Sequence, residues 1–361
     1  MLEDYPKYIK SCFKLAEKGK GFVSPNPLVG AVLVKNGKVI GKGFHKKYGS
    51  AHAEVNAIKN ATENFEGSTL YCNLEPCCHT NKKTPPCVPL IIQNKINKVV
   101  ISNLDPNKDV NGKGISQLRN AGIEVISGIL EDEGRELNKF YFKYIKKKLP
   151  YITLKIAQSV DGKISESRNK QTWLTGKESI KYVHKLRSEY DAVLVGANTI
   201  KIDDPQLNVR EVNGRNPVRI SIDGKLSIPF NSKILNPVDP EKTWVFTSKN
   251  VDEKKIKILE ERGIKIFKIG SAGQNKLDIK KILKILAEQK ITSLLVEGGA
   301  NIFSQFVEQD LFDEIIILQA PKILGKGVTL FNTKALKKLQ LLSVNKLGKD
   351  VKLVYGKKFS D

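Results

Sequence analysis

His52 and Glu54 stand two positions apart, and two cysteines follow in proline-rich surroundings, Cys77 after Glu75-Pro76 and Cys87 after Pro85-Pro86. One imidazole and two thiolates make a three-ligand set for Zn²⁺ and leave the fourth tetrahedral position for water. A zinc ion held this way lowers the pKa of its water toward about 7, which makes hydroxide available at neutral pH. Glu54, at the start of the same helix as His52, is placed to carry protons between that water and a ring nitrogen or a leaving amine. A lone histidine more often caps a helix and a lone cysteine more often packs as a small hydrophobe. Three ligands and a proton carrier in this order favour metal chemistry instead. Four of the five cysteines fall between Cys72 and Cys87, and an odd, clustered set argues against a disulfide framework.

The second half offers a different kind of signal. An apolar strand, Ser293–Val296, runs into Glu297-Gly298-Gly299-Ala300-Asn301 and then a helix. Glycines here let backbone N–H groups approach a phosphate, and the helix N-terminus adds partial positive charge. The G-x-G-x-x-G dinucleotide fingerprint is absent, so the turn alone is a weak pointer.

These residues need elements to hold them. An amphipathic helix through Tyr8, Cys12, Leu15 and Ala16 precedes a strand at Val29–Val34, and Asn36-Gly37 turns it into a second strand, Lys38–Gly43. A helix from His52, strand Ser68–Asn73, a helix at about 86–94, strand Lys98–Ser102, a helix near 116–121 and strand Glu124–Ser127 complete an alternating pattern. One helix is expected over 131–145, and the join at Lys146-Lys147-Lys148-Leu149-Pro150 separates residues 1–147 from 148–361. Beyond it, strands at 151–157, 192–196, 218–223, 243–247, 293–296 and 313–318, with helices at 177–188, 279–289 and 301–308, predict an α/β domain with a largely parallel sheet.

The His52-Ala53-Glu54 and Pro76-Cys77 pattern resembles the zinc-dependent cytidine deaminase superfamily. Nine residues separate Cys77 from Cys87, where that superfamily pattern has a two-residue gap. The long loop ending in Lys83-Thr84-Pro85-Pro86-Cys87 is instead similar to the deaminase half of the bifunctional riboflavin-biosynthesis deaminase-reductases, with one residue more than that family usually carries. Cys77 and Cys78 both remain candidates for the first thiolate; Cys77 is favoured because it directly follows Glu75-Pro76. The order Lys155-Ile156-Ala157, Asp161-Gly162, Trp173, Gly196-Ala197-Asn198-Thr199, Asp203-Asp204-Pro205 and Glu297-Gly298-Gly299 resembles the reductase half of the same family.

The resemblance implies an N-terminal cytidine-deaminase-like α/β/α sandwich and a C-terminal dihydrofolate-reductase-like α/β domain. It implies one Zn²⁺ per chain on His52, Cys77 and Cys87, with Glu54 catalytic, and NADPH as second cofactor. Asn26, His45, Lys83, Asp105 and Asn107 become candidate substrate contacts in the first domain. In the second, Ala157, Trp173, Thr199, Asp203, Gly299, Ala300, Asn301, Ile302, Phe303, Ser304 and Gln305 become candidate cofactor contacts. Gln171, Arg187, Leu207, Arg210 and Glu297 would face substrate, Arg187 and Arg210 as a bidentate phosphate clamp. Lys155 and Glu297 would position or protonate the ribose being reduced. The implied reactions are deamination of 2,5-diamino-6-(5-phosphoribosylamino)pyrimidin-4-one and then reduction of its ribosyl group, in a homodimer built through the reductase domains.

Composition bounds the alternatives. The 361 residues carry 61 Lys plus Arg against 38 Asp plus Glu, a net charge of +23, which keeps a nucleic-acid-editing deaminase with a non-catalytic second domain as the rival. Against it, the excess is spread as +10 over residues 1–148 and +13 over the rest, and only 8 of the basic residues are Arg, the residue favoured for bidentate readout. The charge therefore reads as solvated surface, with no nucleic-acid partner expected. No apolar run approaches the roughly 18 residues of a membrane span, and the start lacks a signal-peptide pattern. A cytoplasmic enzyme with a phosphorylated small-molecule substrate and no membrane partner is expected.

Overall fold

Asp4 accepts a hydrogen bond from the Lys7 amide and Pro6 fits the first turn, so the chain opens with helix α1 (Tyr5–Ala16), which buries Ile9, Cys12 and Ala16. Strand β1 (Gly30–Lys35) reverses through Asn36 and Gly37, both at positive φ, into β2 (Lys38–Phe44), the two-residue turn that matches strand twist. There follow α2 (Ala53–Lys59), β3 (Thr69–Leu74), α3 (Cys87–Gln93), β4 (Lys98–Asn103), α4 (Lys113–Asn120), β5 (Glu124–Ile126), α5 (Glu131–Leu137) and α6 (Lys139–Lys147). The computed structural model describes residues 4–80, 84–167, 169–270, 276–330 and 338–357. It divides into two units, Met1–Lys148 and Leu149–Asp361.

The first unit holds a five-stranded sheet in the order β2-β1-β3-β4-β5, with β1 antiparallel to both neighbours and β3, β4 and β5 parallel. Side chains alternate across a strand, so Ala31, Leu33, Leu70 and Val99 pack with Ala57 of α2, Ile91 of α3 and Leu118 of α4. Val32, Val34, Tyr71 and Val100 pack on the other face with Ile9 and Cys12 of α1. Both faces are covered, which makes the three-layer sandwich. Gly43 lets α2 lie close on β2: a Cβ there would collide with the Ala53 carbonyl and the Ala57 amide.

The single helix expected over 131–145 is two. Asn138 separates α5 from α6 at φ −106°, ψ 21°, and its side chain accepts from the Leu28 amide at 2.8 Å while donating to the Leu28 carbonyl at 2.9 Å. A long-range amide pair thus breaks a locally helical pattern.

The second unit comprises β6 (Tyr151–Gln158), β7 (Lys163–Ser165), α7 (Lys177–Glu189), β8 (Ala192–Gly196), α8 (Ala197–Asp203), β9 (Val218–Ile222), β10 (Thr243–Ser248), α9 (Glu253–Glu261), β11 (Lys265–Ile269), α10 (Ile279–Glu288), β12 (Ser293–Gly298), α11 (Ala300–Glu308), β13 (Glu314–Gln319), β14 (Val328–Thr329), β15 (Gln340–Leu347) and β16 (Asp350–Gly356). Its nine-stranded sheet runs β11-β10-β9-β8-β12-β6-β13-β16-β15, parallel from β11 to β13, with β16 and β15 antiparallel. Leu154, Leu194, Val296 and Phe246 pack with α10 and α11 on one face; Val193, Val195 and Val245 pack with Ile200 of α8 and Ile256 of α9 on the other. The parallel arrangement agrees with expectation. The closing hairpin, α8, α9 and β11 were not foreseen: α9 buries only Ile256 and Leu259, and a bulge between Leu341 and Ser343 spoils the alternation of β15.

Candidate functional site

In the first unit the chemistry gathers at two helix starts. His52 is the extended residue before α2, Glu54 lies in that helix's first turn, and Cys87 opens α3 after Pro86 at φ −66°, ψ 147°. Proline suits such an entry because its φ is already set, and a helix N-terminus favours a thiolate. His52 Nδ1 lies 3.4 Å from Cys77 Sγ and 3.3 Å from Cys87 Sγ, and the Cys87 amide donates to Cys77 Sγ at 3.4 Å. The donor atoms of His52, Cys77 and Cys87 all fall within 4.8 Å of one another. Cys78 faces elsewhere, with its Sγ 3.6 Å from the Asp109 carbonyl.

Glu54 is 3% exposed, and its Oε2 is a buried oxygen with no hydrogen-bond partner. Burial, with the Cys77 charge adding to it, pushes its carboxyl above the ordinary value. Such an orphaned oxygen beside a soft three-donor set fits a zinc ion with its water.

Asn26 and His45 sit together, Nδ2 to Nε2 at 3.2 Å, and His45 Nδ1 lies 3.2 Å from the Ala51 carbonyl. A carbonyl only accepts, so Nδ1 carries the proton and Nε2 accepts from Asn26. The rings of His45 and His52 are 5.5 Å apart, which places the Asn26–His45 pair beside the donor set. Asp105 is 6% exposed; it accepts from Tyr141 Oη at 2.9 Å and from the Asn107 amide at 2.8 Å. Burial raises its carboxyl to about 6. Asp105 thus works inside the loop, whereas Asn107 accepts from the Asp109 amide. Lys83 lies outside the described residues.

Two residues went unassigned in the sequence. Glu75 is buried, and its carboxylate accepts backbone N–H groups of Asp105 at 3.2 Å, Gly112 at 3.0 Å and Ile115 at 3.2 Å. It ties the strand leading to Cys77 to the loop carrying Asp105 and Asn107. Thr84 Oγ1 lies 2.9 Å from His52 Nε2. The available signal was position alone, since both residues fall within the quoted Glu-Pro-Cys and Thr-Pro-Pro-Cys runs.

In the second unit the ends of β6, β8 and β12 border a cavity of about 1900 Å³, where parallel sheets place their ligands. Every second-half residue expected to contact cofactor or substrate lines it, from Lys155 and Ala157 to Gln305. Trp173 is 65% exposed on its wall rather than packed in a core. Gly299, at φ 53°, precedes α11, and a Cβ there would come within 3.0 Å of Thr199 Oγ1. This backbone cradle and the cavity's size fit a dinucleotide with room for a second ligand.

Ile302, Phe303 and Leu207 line the cavity and also pack in the cores, whereas the expectation for Arg187 needs correction. Ile302 and Phe303 are 6% and 3% exposed and belong to the core under the sheet. Leu207 is 2% exposed at φ 53° and packs among the residues behind β8. The Arg187 fork is not free for a phosphate: Nε and Nη2 donate to Glu297 at 2.6 and 2.8 Å, and Nη1 donates to the Asn208 carbonyl. Arg210 keeps an exposed side chain, bonded to Asn208 through Nη1. Glu297 lies at a register shift in β12, between Val296 and Gly298, and also pairs with Lys155 at 3.4 Å. Burial pushes its carboxyl up, but Arg187 and Lys155 outweigh that and hold it at about 2.

Comparison with known proteins bears on both halves. Residues 150–353 match the RibD C-terminal domain, and residues 2–103 match the cytidine and deoxycytidylate deaminase zinc-binding region. The chain is 46% identical over 324 residues to the riboflavin biosynthesis protein RibD of Aquifex aeolicus, covering 90% of this chain and 88% of the relative. It is 39% identical over 361 residues to that of Bacillus amyloliquefaciens, covering 98% and 95%. Among solved structures, Acinetobacter baumannii RibD superposes with a TM-score of 0.89 at 34% identity, over 98% of both chains. A deaminase/reductase from Thermotoga maritima superposes with 0.86 at 37%, again over 98% of both.

Proposed function

The chain belongs to the RibD family of bifunctional riboflavin-biosynthesis enzymes, a zinc deaminase joined to an NADPH-dependent reductase, and from that premise we propose which residues do the work in each half. Residues 1–147 form the deaminase and 148–361 the reductase. His52, Cys77 and Cys87 hold the zinc ion; the observation that carries this is the meeting of their donor atoms beside the orphaned Glu54 Oε2. Zinc, when bound, supplies Lewis acidity that makes water a usable nucleophile near neutral pH. With the ion in place, Glu54 would hold and move protons between water, the ring nitrogen and the departing amine of the phosphoribosylamino-pyrimidine. Asn26 holds the ring, oriented by His45. The Asn107 loop faces the ribose phosphate, and Asp105 and Glu75 keep the loop in shape.

In the reductase, Thr199, Gly299 and the start of α11 hold the cofactor, with Ala157, Trp173 and Asp203 along its wall. NADPH, when bound, supplies the hydride, which goes to the ribosyl C1′. Glu297, held anionic by Arg187, does not donate a proton near neutral pH. It orients Lys155, which stands at the cavity wall as the proton donor. Arg210 and Gln171 face the substrate. A nucleic-acid-editing alternative finds no support, because the second half matches a reductase family.

No helix among the described residues is long and apolar enough to cross a membrane. None of the five cysteines is in a disulfide, in keeping with the cytoplasmic setting we propose. The homodimer forms through the reductase unit: β15 is a sheet edge with Leu341, Leu342 and Val344 about half exposed, and a second copy covers such an edge well. A monomer in light scattering would remove that part. The main test supplies the phosphoribosylamino-pyrimidine and NADPH and follows ammonia and NADPH absorbance separately; both must change, ammonia first. Failure of either signal overturns the corresponding half.

A further inference from the structure

The loop between Cys77 and Cys87 has so far supplied a ligand at each end and no reason for its length. We propose that Thr84 is a positioning residue for the metal centre, accepting a hydrogen bond from the His52 imidazole and fixing which of its nitrogens faces the zinc ion. The proposal rests on the ligand set argued above. His52 Nδ1 is the nitrogen that faces both sulfurs, at 3.4 and 3.3 Å. To ligate, it presents a bare lone pair, so the neutral ring carries its proton on Nε2. Thr84 Oγ1 lies 2.9 Å from that nitrogen, and a hydroxyl oxygen accepts it. A metal-bound histidine held in this way keeps its tautomer and ring plane, and the bond raises its basicity as a ligand.

The chain also explains how Thr84 is held. Two prolines separate it from Cys87, and Pro86 is extended ahead of α3. With φ restricted at both prolines, one short stiff segment carries a zinc ligand at one end and the acceptor for another ligand's ring at the other. The loop's return path is therefore part of the metal centre.

The test uses the full chain, stripped of metal and titrated with zinc against a chromogenic chelator. The variants are Thr84→Val, Thr84→Ala as a smaller change that cannot clash, Thr84→Ser and Cys77→Ser. NADPH oxidation with pre-deaminated substrate reports that the reductase unit of each variant is intact, and circular dichroism against the parent reports that the deaminase unit is folded. Thr84→Val and Thr84→Ala should weaken zinc binding about 10–100-fold, Thr84→Ser should stay near the parent, and reduction should be unchanged in all three. If Cys77→Ser loses zinc but Thr84→Val and Thr84→Ala bind it like the parent, the role of Thr84 is overturned and the ligand set stands. Equal weakening in Thr84→Ser also overturns it, because the hydroxyl would then not matter. If Cys77→Ser keeps zinc, the ligand set fails and the proposal with it.

Discussion

The two sites are built by opposite means. In the deaminase unit, four chemically committed side chains come from two helix starts and the loop that follows one strand, within a span of 36 residues from His52 to Cys87. An unpartnered carboxylate oxygen is left among them. In the reductase unit one buried carboxylate, Glu297, pairs with both Arg187 and Lys155, and Arg187 and Glu297 are 110 positions apart. A metal site concentrates function in ligand identity, whereas a dinucleotide site spreads it over a wall of backbone and side chains. The first is expected to be brittle at a few residues; the second couples catalysis to stability.

The sharpest way to separate the two is a mirrored pair of substitutions. Glu54→Gln should cut ammonia release by about 10²–10⁴-fold, the range for a lost acid-base group, and leave NADPH oxidation on pre-deaminated substrate intact. Lys155→Ala should do the reverse. Loss of both activities in either variant would break the division of labour.

Next in size, Arg187→Ala leaves the Glu297 carboxylate buried without its main partner, which should cost about 3–5 kcal/mol. Both tryptophans, Trp173 and Trp244, belong to the second unit, so denaturation followed by tryptophan emission reports on that unit alone. An unchanged midpoint would mean that the pair carries little weight.

Smaller still, Glu75→Gln keeps one acceptor oxygen but presents an NH₂ where backbone amides now donate. The KM for the phosphorylated substrate should rise about tenfold, in line with losing one bond to a charged acceptor, while zinc content stays at the parent level. Loss of zinc would show that Glu75 supports the ligands rather than the loop.

The smallest contrast is one of pH. Glu297 ionises at about 2 in the fold against an ordinary 4.5, so the unfolded chain binds more protons between those values. Its stabilisation is complete above about 4.5 and is lost as pH falls toward 2. Asp105 ionises at about 6 against an ordinary 3.8, so there the folded state binds more protons, and its contribution to stability falls as pH rises through 6. Asp105→Asn should flatten the first unit's stability between about pH 4 and 6; an unaltered slope would remove Asp105 as its source.

The strands of the first sheet and six of the nine in the second were legible because apolar runs bounded by Asn-Gly, proline or glycine leave a local trace; β11 and the closing hairpin were not. Helix α9 was not, since its lysine-rich sequence buries two residues only. The break at Asn138 was hidden because its cause, Leu28, lies 110 positions away. At the sites, the types and order of the metal donors could be read directly, yet Arg187 read as a phosphate clamp because nothing local reveals that Glu297 already occupies its fork.

Residue identity is enough to state what an imidazole, two thiolates and a carboxylate can do, for ligand chemistry is a property of the side chains themselves. Which thiolate meets the imidazole, which charges pair and which apolar residues pack in the core behind the cavity depend on contacts between distant segments. Those contacts exist only once burial of the two sheets has brought the segments together.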